Sequence, residues 1–303
     1  MNLIDCDVHL RFRGLDEIAQ FLEEPWRTRM YKGLKLAHWE GYVNPFTVYR
    51  EDANPPDGGQ PGSDPSFTAT DHLDRYAIDY AILIGESVHL GVSTLANADW
   101  AIALATAYND WVAAVWVPAD QRYLGSIIVA PQDPAAAARE IDRMADNPRF
   151  VQVLMSAGAR SPYGQRFYDP IYEAATRHNL PVAIHIGADG TGLNAGPTAA
   201  GHPSHYIEWH TTLTSIMQTH LVSLVCEGTF ERFPTLRFVI IEAGVAWLPS
   251  LMWRLDKNWK SLHSEVPWVR RRPSEYLAEH VRLTTQPLEE PENPKHLLQT
   301  LEM

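Results

Sequence analysis

Apolar residues fall along the chain in short, nearly unbroken runs, separated by longer stretches in which they recur every three or four positions. The runs are Ala81-Ile82-Leu83-Ile84-Gly85, 125–130, 150–155, 180–187 and 236–242. Runs of that length without polar alternation predict strands buried on both faces, as in a parallel sheet covered by helices. The opening segment Leu3 to His9 and the segment Val281 to Thr285 add a first and a seventh strand. Helical spacing fills the intervals near 14–22, 96–115, 135–145, 168–178, 214–230, 246–262 and 274–280, with another helix starting at 295, and Thr70 is placed to cap a short helix before the second strand. Strands alternating with helices predict parallel βαβ units.

The fold class expected is therefore α/β, a (β/α)8 TIM-type barrel whose eighth strand is missing from the sequence, with 1–303 as one domain. An open doubly wound sheet is the second arrangement, but no glycine-rich phosphate fingerprint follows the first strand. One irregular insertion, about 41–68, contains Asn54-Pro55-Pro56-Asp57-Gly58-Gly59-Gln60-Pro61-Gly62. Such a stretch cannot hold a helix, and after strand one it is placed either to cover the strand ends as a lid or to run over the surface. A second long loop spans 188–206.

Composition narrows the function. With 37 acidic against 25 basic residues, a net charge of −12 and no long basic run, neither a nucleic-acid groove nor an anionic membrane surface is expected as a partner. Two cysteines, Cys6 and Cys226, cannot build a disulfide framework. A first strand starting at Leu3, with no later apolar run near the roughly 20 residues of a membrane helix, makes a cytoplasmic location the expectation. Ten tryptophans supply core or interface anchors, consistent with a homo-oligomer or a hetero-oligomer with a related chain.

Ligand-type side chains mark three strand ends. Asp7 and His9, two apart in the first strand, share a face; His185 ends the fifth strand and Glu242 the sixth. In a parallel barrel these ends converge on the C-terminal mouth. Nitrogen and oxygen donors suit zinc, expected first, or manganese or iron, as one or two ions. Glu242 is a candidate acid or base. The stretch Gly201 to His210 adds His202, His205, Glu208 and His210; it is either a polar entry to a helix, or it brings His205 beside Glu242 as second-metal ligands and His210 as a catalytic group.

Taken together, Ile4-Asp5-Cys6-Asp7-Val8-His9, Val182-Ala183-Ile184-His185-Ile186-Gly187, Phe238-Val239-Ile240-Ile241-Glu242-Ala243-Gly244 with Trp247-Leu248-Pro249 and Arg254-Leu255-Asp256, and Leu283-Thr284-Thr285-Gln286-Pro287 resemble the amidohydrolase superfamily. The branch most similar contains aminocarboxymuconate semialdehyde decarboxylase and the resorcylate decarboxylases. The resemblance implies that Asp7, His9 and His185 bind a metal and that Glu242 stands where relatives place a catalytic histidine or acid. It implies an enzyme that hydrolyses or non-oxidatively decarboxylates a small, carboxylated substrate. Two departures are Arg11, where relatives can carry a third N-terminal donor, and the strand-eight aspartate of the family, which this sequence lacks. They leave two alternatives: a dinuclear iron or manganese/iron hydroxylase subunit of the same fold, or a catalytically silent scaffold paired with an active paralogue.

Overall fold

The computed structural model describes residues 3–32, 50–85 and 87–302. Seven strands, β1 (Ile4–Leu10), β2 (Tyr80–Gly85), β3 (Tyr123–Ile128), β4 (Phe150–Ser156), β5 (Val182–His185), β6 (Phe238–Ile241) and β7 (Val281–Leu283), form one sheet in sequence order. Every neighbouring pair is parallel. Helices separate the strands throughout, so the topology is that of a (β/α)8 TIM-type barrel through seven of its units. Among the described residues β1 and β7 are the two ends of the sheet, and Ile4 at the start of β1 is half exposed.

The later strands are shorter than the apolar runs predict, and backbone conformation explains where two of them stop. Gly187, two residues beyond β5, adopts φ +107°, and Glu242, directly after β6, adopts φ +56°. Neither geometry continues a strand. Helix starts follow the expected chemistry: Asn97 caps Ala98–Trp111, and Asp133 caps Pro134–Met144 with proline in the first turn. The Thr70 expectation is corrected. Asp64 caps the helix Pro65–Thr68 by accepting from the Phe67 amide, while Thr70 lies in the π-helical turn Ala69–Asp74 and its hydroxyl donates back to Ser66 and Phe67.

Between sheet and helices the core is aromatic. Trp100, Trp111 and Trp116 are fully buried, and the Trp111, Trp116 and Tyr123 rings pack edge to face in sequence. Trp253 and Trp268 are instead exposed. Residues 33–49, which include 41–49 of the insertion, lie outside the described residues; the rest of the insertion is pinned beside the C-terminal end of β1. The Arg11 amide donates to the Gly62 carbonyl at 2.8 Å, and Arg13 holds Asp57 at 2.8 Å and Asp64 at 2.7 Å. Gly62 needs to be glycine, because it has φ +77° and a Cβ there would sit 2.2 Å from the His9 carbonyl oxygen.

Candidate metal centre

The site begins with an irregularity in β1. Asp5 pairs with Ala81 but Val8 with Leu83, so β1 carries one residue more than β2 over this interval, a bulge of the kind that re-aims side chains. Asp5 secures it: one carboxylate oxygen accepts from the Asp7 amide at 3.0 Å, and the other lies 2.7 Å from Nε2 of His72 on the π-helical turn. Asp7 and His9 then face the strand ends together.

Four side chains meet there. Asp7 Oδ1 is 3.2 Å from Nε2 of both His9 and His185, and Glu242 Oε2 is 3.0 Å from His185 Nε2 and 3.9 Å from His9 Nε2. The two imidazoles stand edge to face with centroids 5.0 Å apart. One ligand atom from each of Asp7, His9, His185 and Glu242 lies within 4.8 Å of all the others. His185 Nδ1 donates to the Ile186 carbonyl at 2.7 Å, which turns Nε2 toward the carboxylates, the orienting contact typical of a metal-binding histidine. Access is graded: the side chain of His185 is 2% exposed, Asp7 10%, Glu242 18% and His9 32%, so the cluster opens on its His9 side.

Electrostatics follow from this crowding. Burial opposes ionisation of Asp7, but the neighbouring imidazoles outweigh it and hold the carboxyl far below the usual range. Burial likewise opposes a charge on His185, yet Asp7 and then Glu242 overcome it and push the imidazole up to about 10. The cluster therefore attracts positive charge at its centre. Two imidazole nitrogens and two carboxylates fit a divalent cation, which would take the place of that proton.

Glu242 reaches the cluster from an uncommon backbone conformation. A non-glycine residue at φ +56° is held there by its surroundings, here by Thr284 Oγ1, which accepts from the Glu242 amide at 3.1 Å. Sequence reasoning did not single out Asp5, His72 or Thr284 individually, although Asp5 and Thr284 lie inside motifs it quoted. His72 carried no signal, since it sits in a turn far from any strand end.

The structure does not bring His205 or His210 into the cluster. His205 caps the helix Tyr206–Thr212; its side chain is 77% exposed, and its ring and amide both contact the Glu208 carboxylate in a capping box. His210 stacks on Tyr206. Beside this helix lies a cavity of about 760 Å³ lined by Thr198, Gly201, His202, Ile207, Glu208 and Ser215 among others, with none of the four clustered donors in its wall. Asp189, on the loop after β5, is buried, accepts from Trp209 Nε1 at 2.7 Å, and has its carboxyl raised by that burial.

Comparison with known proteins supplies the lineage. A gamma-resorcylate decarboxylase of Rhizobium sp. (strain MTP-10005) is 26% identical over 226 residues, covering 70% of this chain and 66% of that protein, so the match spans slightly less than two thirds of the relative. A manganese-bound 5-carboxyvanillate decarboxylase from Novosphingobium aromaticivorans superposes with TM-score 0.70 at 22% identity, over 99% of this chain and 82% of that one. A dihydroxybenzoic acid decarboxylase from Polaromonas sp. JS666, solved with manganese and 2-nitroresorcinol, gives TM-score 0.64 at 19% identity over 100% and 83%. At such identities these structures speak to the fold. The amidohydrolase family model, however, matches residues 4–302, nearly the whole chain, and the protein belongs to the amidohydrolase family.

Proposed function

We propose that this protein is a divalent-metal-dependent decarboxylase that removes CO2 from a small carboxylated, hydroxylated aromatic ring. The observation that carries this is the four-donor cluster at the ends of β1, β5 and β6. The relatives' names support the substrate class, each being a decarboxylase of a phenolic acid. Asp7, His9 and His185 would hold the ion, with Glu242 at its edge. When bound, a divalent ion supplies Lewis-acid charge that draws an anionic substrate into the mouth.

Non-oxidative decarboxylation breaks the bond between ring and carboxylate, leaves the electron pair on the ring carbon, and replaces CO2 with a proton. This chain must therefore place a proton donor over the ring. Glu242 is the group suited to relay it, taking up a proton from solvent and passing it to the ring carbon, because its carboxylate is more exposed than that of Asp7 and its backbone is fixed. His185, buried and oriented by Ile186, presents one imidazole nitrogen to the carboxylates of both Asp7 and Glu242. His210 is a secondary candidate for moving protons between the site and solvent. Manganese, present in both solved decarboxylases, is the first ion to load; zinc is the second.

The test is metal analysis of purified protein followed by CO2 release from a panel of hydroxybenzoates. Metal-dependent release that is lost in His185→Ala, and reduced at least 100-fold in Glu242→Gln, is the expected result. Undiminished turnover after chelation, or hydrolysis of an amide or ester in place of decarboxylation, would overturn it.

A further inference from the structure

The segment that bears Glu242 is tied at both ends to the loop after β7. At one end the Glu242 amide donates to Thr284 Oγ1 at 3.1 Å, and the Thr284 amide donates to Ile240, extending the ladder between β6 and β7 by one rung. At the other end Glu289 accepts from the Val245 amide with both oxygens, at 3.1 and 3.0 Å, and from the Ala246 amide at 3.0 Å. Ala246 is the N-cap of the helix Trp247–Leu262 and its own side chain provides no cap. Glu289 thus supplies from another loop the anion that a helix start favours. Gly244 makes the approach feasible: it has φ +66°, and a Cβ there would lie 2.5 Å from Glu289 Oε1.

Both acceptors therefore act on one turn, 242–246, whose first residue has left-handed backbone and points its carboxylate at His185. A glutamate does not hold that conformation unaided. We propose that Thr284 and Glu289 are positioning residues, a clasp from the loop after β7 that fixes the 242–246 turn so that the Glu242 carboxylate enters the donor cluster. The proposal rests on the cluster being a metal centre, and it assigns a role to the motif 283–287, which no donor in the cluster explains.

The experiment measures Mn2+ affinity of the whole protein from the free-ion electron paramagnetic resonance signal. Thr284→Val and Glu289→Ala are each expected to weaken binding about ten-fold, the size usual for groups that orient metal ligands. Thr284→Ser, which keeps the acceptor, is expected to bind like the wild type. Combining Glu289→Ala or Thr284→Val with Glu242→Gln is expected to add little to the loss from Glu242→Gln alone, because the clasp acts through Glu242. A general structural role would not produce that saturation or the serine rescue. Wild-type affinity in Thr284→Val and Glu289→Ala, or losses that add in full to that of Glu242→Gln, would overturn the clasp while leaving the metal centre intact. Failure of the wild-type protein to bind Mn2+ would overturn the metal centre and the clasp together. If Glu289→Ala does not fold, Thr284→Val, which removes a single hydrogen-bond acceptor, decides the matter.

Discussion

Asp5 and Asp7 stand two positions apart in one strand and perform different tasks. Asp7 is nearly buried among imidazoles, while Asp5 spends both oxygens on geometry, one on the Asp7 amide and one on His72. The identities of the clustered donors were legible in sequence, because alternation in a strand puts Asp7 and His9 on one face and the apolar runs of β5 and β6 lead directly to His185 and Glu242. The supports were not. A bulge is a matter of register between two strands, and nothing in the letters of β1 declares it. Nor does a glutamate announce that it will adopt φ +56°. Removing the brace tests its role: Asp5→Ala is expected to retain the fold and weaken Mn2+ binding by about ten-fold, with His72→Phe showing a smaller loss. Isothermal titration of both variants checks this, and unchanged affinity in Asp5→Ala would show that the bulge holds Asp7 without it.

Elements are joined to the sheet by polar groups as well as by the aromatic core. Asn109, completely buried on the helix Ala98–Trp111, donates to the Ile128 carbonyl at 2.9 Å and accepts from the Ile128 amide at 2.9 Å, so one side chain satisfies both backbone groups at the end of β3. Its amide also donates to Glu140 at 2.7 Å, and Glu140 in turn pairs with Arg143 on the helix Pro134–Met144. Two helices and a strand meet on this network. The helices themselves were predictable from apolar spacing, but the tie was not, because an asparagine inside an apolar helical stretch gives no sign of its partner. Asn109→Leu keeps the number and branching of the side-chain heavy atoms and removes the acceptor and donor together. Leaving the Ile128 groups buried and unsatisfied is expected to cost about 2–4 kcal/mol, read as a lower urea midpoint at unchanged slope. A loss below about 1 kcal/mol would mean that water replaces the side chain there.

At the scale of the molecule, the order of seven parallel strands was legible because a strand buried on both faces must be apolar throughout, while the lengths of β5, β6 and β7 were overestimated. What holds the units together as pH changes is a set of buried histidines with opposite tendencies. His220, on the helix Thr214–Cys226, is buried and stacked on Tyr163 with centroids 4.3 Å apart; its Nε2 donates to Ala157 at 2.8 Å and its Nδ1 accepts from the Tyr163 amide at 3.2 Å. Burial lowers its pKa from 6.5 to about 4, only partly offset by the bond to Ala157, and a proton on Nδ1 would face the Tyr163 N–H. The unfolded chain takes up that proton near pH 6.5 while the folded chain resists until about pH 4. Stability is therefore full above pH 6.5 and declines as the pH falls toward 4, by about 3 kcal/mol from this residue. His185 acts in a different window: its raised pKa, about 10, means that its contribution in the metal-free protein is complete below pH 6.5 and is lost as the pH rises toward 10. Asp7, depressed, contributes in full above the ordinary carboxylate range and loses that contribution only as the pH falls below it. His280, also buried, has its imidazole lowered by that burial and so acts in the same direction as His220. His220→Gln can keep both hydrogen bonds without titrating. Urea unfolding of metal-free protein at pH 7, 5.5 and 4.5 is expected to show a decline in the wild type that is largely flattened in His220→Gln. Parallel curves for the two proteins would move the origin of the acid sensitivity away from His220.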